Sequence, residues 1–123
     1  MSDASFVAPL FRAIDAMDAD AFASFLSQDA VFRFGNGAEV RGREAIREAV
    51  AGFFGTIAGL RHRLLGTWTH SDTVICRGEV AYTRKDGSEV ILPFADVFGL
   101  RGGEILDYQI YMDLGPLFSP PTS

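Results

Sequence analysis

The chain has 123 residues, 48% of them hydrophobic and 22% charged, which supports one packed core and argues against a disordered chain. Its formal net charge of −5 excludes a basic nucleic-acid-binding face, and the Arg61, His62, Arg63 cluster is too small to replace one. No apolar run reaches membrane-spanning length, and the single cysteine, Cys76, excludes an internal disulfide. The opening stretch carries acids throughout and no basic segment ahead of its apolar residues, so it reads as a helix and not as a signal peptide. The expectation is one cytoplasmic domain over residues 1–123, with 114–123 as a loose tail.

Phe6, Leu10, Ala13, Ile14 and Met17 recur at helical spacing and predict a first helix from Ser5 to Met17, with Pro9 tolerated near its start. Asp18 is placed to cap a short second helix carrying Phe22, Phe25 and Leu26. Residues 30–34 read as a strand, broken by Gly35, Asn36 and Gly37. A third helix starts near Gly42 and presents Ile46, Val50, Phe53, Phe54 and Ile57. Beyond Gly59 the period changes to two, predicting strands over 60–70, 73–84, 89–100 and 104–113. Ser71-Asp72, Asp86-Gly87 and Gly102-Gly103 mark the turns between them. Helices followed by a strand meander predict an α+β fold, with three N-terminal helices covering a curved, mostly antiparallel sheet.

Tight turns imply registers, and directly opposed side chains share a sheet face. A two-residue turn at Ser71-Asp72 sets Gly66 opposite Arg77, Leu64 opposite Glu79 and His62 opposite Ala81. A two-residue turn at Asp86-Gly87 sets Arg77 opposite Asp96, Glu79 opposite Phe94 and Ile75 opposite Phe98. A glycine bulge at Gly102-Gly103 is expected to bring Ile110 opposite Asp96, so that Leu106, Tyr108, Ile110 and Met112 join the inner face.

That inner face would collect Arg77, Glu79, Asp96 and His62 among large apolar residues. Charges there must be paired or wet. They read either as a structural Arg77–Asp96 ion pair or as the floor of a pocket in which Asp96 or Glu79 moves a proton. Phe34, Phe53, Phe54, Ile57, Trp68, Phe94, Phe98, Tyr108, Ile110 and Met112 are the candidate ligand-binding wall. The opposite face would carry Leu65, Cys76, Val80, Tyr82, Ile91, Val97 and Tyr111, too apolar for free solvation, which predicts a homodimer through the outer face of the sheet. No histidine or cysteine pair has metal-site spacing and no glycine-rich phosphate loop is present, so neither metal nor cofactor is expected. A small hydrophobic molecule is the expected partner, with no nucleic acid and no membrane.

Three strings in this order resemble the nuclear transport factor two-like (cystatin-like) superfamily, and within it the SnoaL-like, ketosteroid-isomerase-like group. They are Arg41-Gly42-Arg43-Glu44-Ala45-Ile46, Pro93-Phe94-Ala95-Asp96-Val97-Phe98 and Tyr108-Gln109-Ile110-Tyr111-Met112-Asp113. The resemblance implies a cone-shaped fold around one cavity. It places Asp96 where ketosteroid isomerases keep a protonated aspartic acid, a group that is a worked example of a carboxylic acid held neutral. That isomerase's base aspartate falls on Phe34 and its oxyanion tyrosine on Leu10. Arg77-Gly78-Glu79 is similar to one part of the limonene-epoxide-hydrolase pattern, whose second aspartate falls on Ile110. Two functions follow as alternatives. One is a cofactor-free isomerase, cyclase or hydrolase using Asp96, Arg77, Glu79 and His62; the other is a pocket that binds small molecules, or an interaction module, without chemistry.

Overall fold

The computed structural model describes residues 4–118. Helix α1 spans Val7–Asp15 and helix α2 spans Ala19–Ala23. The Asp18 carboxylate accepts a hydrogen bond from the Ala21 amide at 3.0 Å, which is the cap its position predicts. Strand β1, Leu26–Phe34, is longer than the apolar run at its end. A two-residue strand β2, Val40–Arg41, leads into α3, Arg43–Phe54, entered through Gly42 at φ 96°. Four long strands follow: β3 Gly59–His70, β4 Thr73–Thr83, β5 Glu89–Arg101 and β6 Glu104–Tyr111. A last turn of helix, α4 Gly115–Phe118, occupies part of the expected tail; residues 119–123 of that expectation lie outside the described residues. No described helix is long and apolar enough to cross a membrane.

The sheet has the order β2-β1-β6-β5-β4-β3 and is antiparallel except where β1 runs parallel to β6. Alternation buries one face of β4 and β5, and α1, α2 and α3 close over the inner side of the sheet. Leu10, Leu26, Ile46, Phe98 and Ile105 are almost fully buried and form the centre of the core.

Three irregularities decide which residues face inward. At the β4–β5 hairpin the Arg84 amide donates to the Ser88 carbonyl at 2.7 Å and the Gly87 amide to the Arg84 carbonyl at 2.9 Å. The loop therefore holds three residues, with Gly87 in the left-handed region at φ 89°. One extra loop residue shifts every pair: Cys76 faces Asp96, Gly78 faces Phe94 and Val74 faces Phe98. This corrects the expected Arg77–Asp96, Glu79–Phe94 and Ile75–Phe98 pairs. Ile75, Arg77, Glu79 and Ala81 belong to the outer face, whereas Cys76, Val80 and Tyr82, expected outside, are buried inside.

The second irregularity lies in β3, where the register shifts between Leu64 and Gly66. Leu65 is the extra residue, so Leu64 pairs with Gly78 and His62 with Val80, not with Glu79 and Ala81. The bulge returns His62 to the inner face, while Gly66 and Trp68, beyond it, stay outside. The third shift lies in β6 and not at the glycines. Arg101 pairs with Glu104 across a two-residue Gly102-Gly103 turn, and Leu106 is the extra residue between Ile105 and Asp107. Ile110 then pairs with Asp96 as expected, although the bulge sits further along the strand.

Candidate active site

Between the inner sheet face and the helices lies a cavity of about 160 Å³. Its wall includes the expected Phe34, Phe53, Phe54, Phe94, Ile110 and Met112. Tyr108 also lines it, and so do Tyr82, Phe32 and Phe22, which the sequence reading did not include. The other expected wall residues lie elsewhere. Ile57 is buried in the core away from the cavity, and Phe98 packs edge-on against Phe6 at 5.1 Å. Trp68 is 54% exposed, and its indole lies across Gly66, where a Cβ would come within 2.5 Å of the ring.

Of the four expected catalytic groups, two line the cavity. Arg77 is exposed on the outer face, and Glu79 is bound there by Arg63 at 2.7 Å. Asp96 and His62 remain, on β5 and β3, either side of β4.

Asp96 is 2% exposed. Its Oδ2 accepts a hydrogen bond from the Tyr108 hydroxyl at 3.0 Å, and its Oδ1 has no partner among the described residues. Burial pushes its carboxyl up to about 8, against the smaller opposing effect of the Tyr108 hydrogen bond. That favours the neutral acid at pH 7, and with Oδ2 accepting from Tyr108 the unpartnered Oδ1 is the oxygen left to carry the proton. The aspartate that the family resemblance singles out is thus a buried carboxyl with a phenol partner from β6. Leu10, the position of the isomerase tyrosine, is fully buried. Burial also pushes the Tyr108 phenol and the Cys76 thiol well up, so both stay protonated; Cys76 is no nucleophile.

His62 is held from helix α1. Its Nδ1 lies 2.6 Å from Asp15 Oδ1, and its backbone amide donates to Asp15 Oδ2 at 3.1 Å. The ring packs between Phe11 and Phe94, with centroids at 4.7 and 5.3 Å. In a neutral ring, a carboxylate at Nδ1 favours the proton on that nitrogen, which leaves Nε2 as the acceptor. Asp15 was missed in the sequence. The available signal was its spacing of four from Phe11, which places the two side by side on the helix surface. Tyr82 brings a third polar group. Its hydroxyl has only the Met112 thioether as a hydrogen-bond partner, at 3.8 Å, and burial, then the nearby Asp96, push its phenol up.

A curved six-stranded sheet covered by three helices, with an aromatic cavity between them whose wall carries a buried carboxyl and an imidazole, defines the class by its fold: α+β proteins of the nuclear transport factor two-like kind. The SnoaL-like domain family matches residues 7–108, and the chain belongs to it. No curated protein matches the chain. Among solved structures, a protein with a ketosteroid isomerase-like fold from Catenulispora acidiphila, in complex with trimethylamine, superposes with TM-score 0.84 at 21% identity, covering 92% of this chain and 88% of that one. A limonene-epoxide-hydrolase-like epoxide hydrolase from Mycobacterium tuberculosis gives 0.76 at 18% identity over 88% and 80% of the two chains. A candidate SnoaL-like polyketide cyclase from a Jannaschia species gives 0.77 at 16%, over 98% and 99%. At these identities the likeness shows the shared fold.

Proposed function

We propose that this protein is a cofactor-free enzyme that moves a proton on a small, uncharged, largely apolar carbonyl or epoxide compound. The observation that carries the reading is Asp96 in the cavity wall, a buried carboxyl whose Oδ1 has no partner among the described residues. Leaving a buried donor unsatisfied costs about 1–3 kcal/mol, which a ligand oxygen accepting from it recovers. The neutral acid then stabilises negative charge developing on that oxygen, while His62 Nε2, oriented by Asp15, accepts the proton. The volume of about 160 Å³ is close to that of a cavity known to hold benzene, so one six-membered ring is the natural size of the reacting part. Arginine and lysine are missing from the wall among the described residues, which disfavours phosphates and carboxylates.

Turnover of a panel of one-ring enones, enols and epoxides, followed by proton exchange into deuterated water, tests the reading. Asp96→Asn and His62→Gln should each lower kcat by ~100-fold or more. Turnover unchanged in both variants would overturn the roles of Asp96 and His62, and no turnover of the panel by the wild type would leave a binding pocket without chemistry, the alternative that the sequence also offers.

The outer sheet face supports a companion proposal. Leu65, Trp68, Ile75, Ile91 and Tyr111 are all large and 40–58% exposed there. A homodimer through this face would cover them. Light scattering should give twice the chain mass for the wild type and a monomer for the double variant Trp68→Lys, Ile91→Lys. A wild-type monomer at micromolar concentration is the result that counts against it.

A further inference from the structure

The same cavity suits a second ligand class, beyond the uncharged compounds proposed above. We propose that it binds small organic ammonium ions, held by the Asp96 carboxylate and the surrounding aromatic rings. Asp96 offers a nine-tenths-buried oxygen with no protein partner among the described residues. No cationic lysine or arginine lines the cavity to compete for it. The wall around it is aromatic, with Phe32, Phe34, Phe53, Tyr82, Phe94 and Tyr108 all contributing. Neighbouring rings stand nearly perpendicular: Phe34–Phe53, Phe53–Tyr82 and Phe32–Tyr108 each meet at 84°. Rings set at right angles present faces as well as edges, and ring faces attract cations most strongly where water is excluded. The cavity volume accommodates a tetramethylammonium-sized head.

A permanent cation cannot share the Asp96 proton, so its binding releases that proton. Besides Asp96, the titratable groups facing this volume are Tyr108 from β6, Tyr82 from β4 and His62 from β3 with Asp15 of α1 behind it; the Cys76 thiol of β4 pairs with Asp96 but does not line the cavity. Helices α2 and α3 and strands β1 and β2 contribute only uncharged residues to the wall. Cys76, Tyr82 and Tyr108 are pushed up by burial and keep their protons. Asp96, at about 8, is the carboxyl that gives its proton up near neutrality. A His62→Gln variant separates the imidazole's share from that of Asp96.

Calorimetric titration with tetramethylammonium chloride from about pH 6 to about pH 9, beside tert-butanol as an uncharged probe of similar shape, tests the proposal. Tetramethylammonium should bind about tenfold more tightly per pH unit up to about pH 8 and level off above it, releasing one proton per ion. Tert-butanol should show no such slope. Asp96→Asn should lose ammonium binding at every pH and keep tert-butanol, whereas His62→Gln should keep both the binding and its slope. No ammonium binding at about pH 9, or a profile shared with tert-butanol, overturns the proposal. The wild-type profile alone decides this, so the test does not depend on a variant folding. Failure of the carbonyl reading is separate: it shows as unchanged turnover in His62→Gln and leaves the ammonium profile standing.

Discussion

The Asp96→Asn variant should be more stable than the wild type at pH 8, and nearly as stable at pH 8 as at pH 5. The native carboxyl holds its proton up to about pH 8, whereas an unfolded aspartate loses it near 3.8. Between those values the folded chain binds one proton more than the unfolded chain. Stability therefore falls as pH rises through this window, by on the order of 1 kcal/mol per pH unit, and is flat above it where both states are ionised. Asparagine stays neutral in both states and keeps an acceptor for the Tyr108 hydroxyl, which removes the slope. Asp29, Glu44 and Asp86 act in the opposite sense. Hydrogen bonds from Ser27, Arg47 and Ser88 respectively hold these exposed carboxyls below their ordinary values, and their effect is confined to the acid side of pH 4 to 5. Urea unfolding at several pH values between about 5 and about 8 measures the difference. A wild-type profile as flat as that of Asp96→Asn would show that the carboxyl is ionised in the fold.

Gly78→Ala should destabilise the protein by about 3 kcal/mol, the upper end for overpacking, although it adds a single methyl group. Gly78 sits on the inner face of β4, opposite Leu64 and beside the Leu65 bulge. A Cβ there would run into the Arg63 carbonyl oxygen, with the Arg63 carbonyl carbon at 3.0 Å and Leu64 Cα at 3.1 Å. These are backbone atoms, so no side chain can rotate away. Relief requires the bulge to open, and opening it threatens the register that brings His62 inside. Gly66→Ala is the control. Its Cβ meets only the exposed Trp68 ring, which can swing into solvent, so a change within about 0.5 kcal/mol is expected. Denaturation midpoints of the two variants check the contrast. Equal losses in both would mean that the bulge is not what fills the space above Gly78.

Helical spacing located α1 and α3, period-two alternation located four strands, and Asp18 acted as the cap its position suggested. Such patterns are readable because each depends on residues close together in the chain. The inner placement of Asp96, Phe94, Tyr108, Ile110 and Met112 was readable for the same reason, since β5 and β6 carry unambiguous apolar alternation. Arg77 and Glu79 were misplaced because β4 is apolar on both sides: Ile75 and Ala81 on one, Val74, Cys76 and Val80 on the other. Its face was set by one extra loop residue before Ser88, a choice between two hairpins that Asp86-Gly87 fits equally well.

His62 shows how far such a slip carries. Its expected partner was wrong, yet its face was right, because the Leu65 bulge cancelled the error in β4. What the amino-acid order determined unaided is the three N-terminal helices and the four long strands, the SnoaL-like pattern and an acid on the buried side of β5; β2, α4 and the first half of β1 were not legible in it. What only the assembled chain decided is which groups meet: Asp15 reaching His62 from 47 residues away, and Tyr108 reaching Asp96 from the neighbouring strand. Side-chain periodicity is local, whereas the pairing of faces depends on loop length and bulges, where a single residue inverts the outcome.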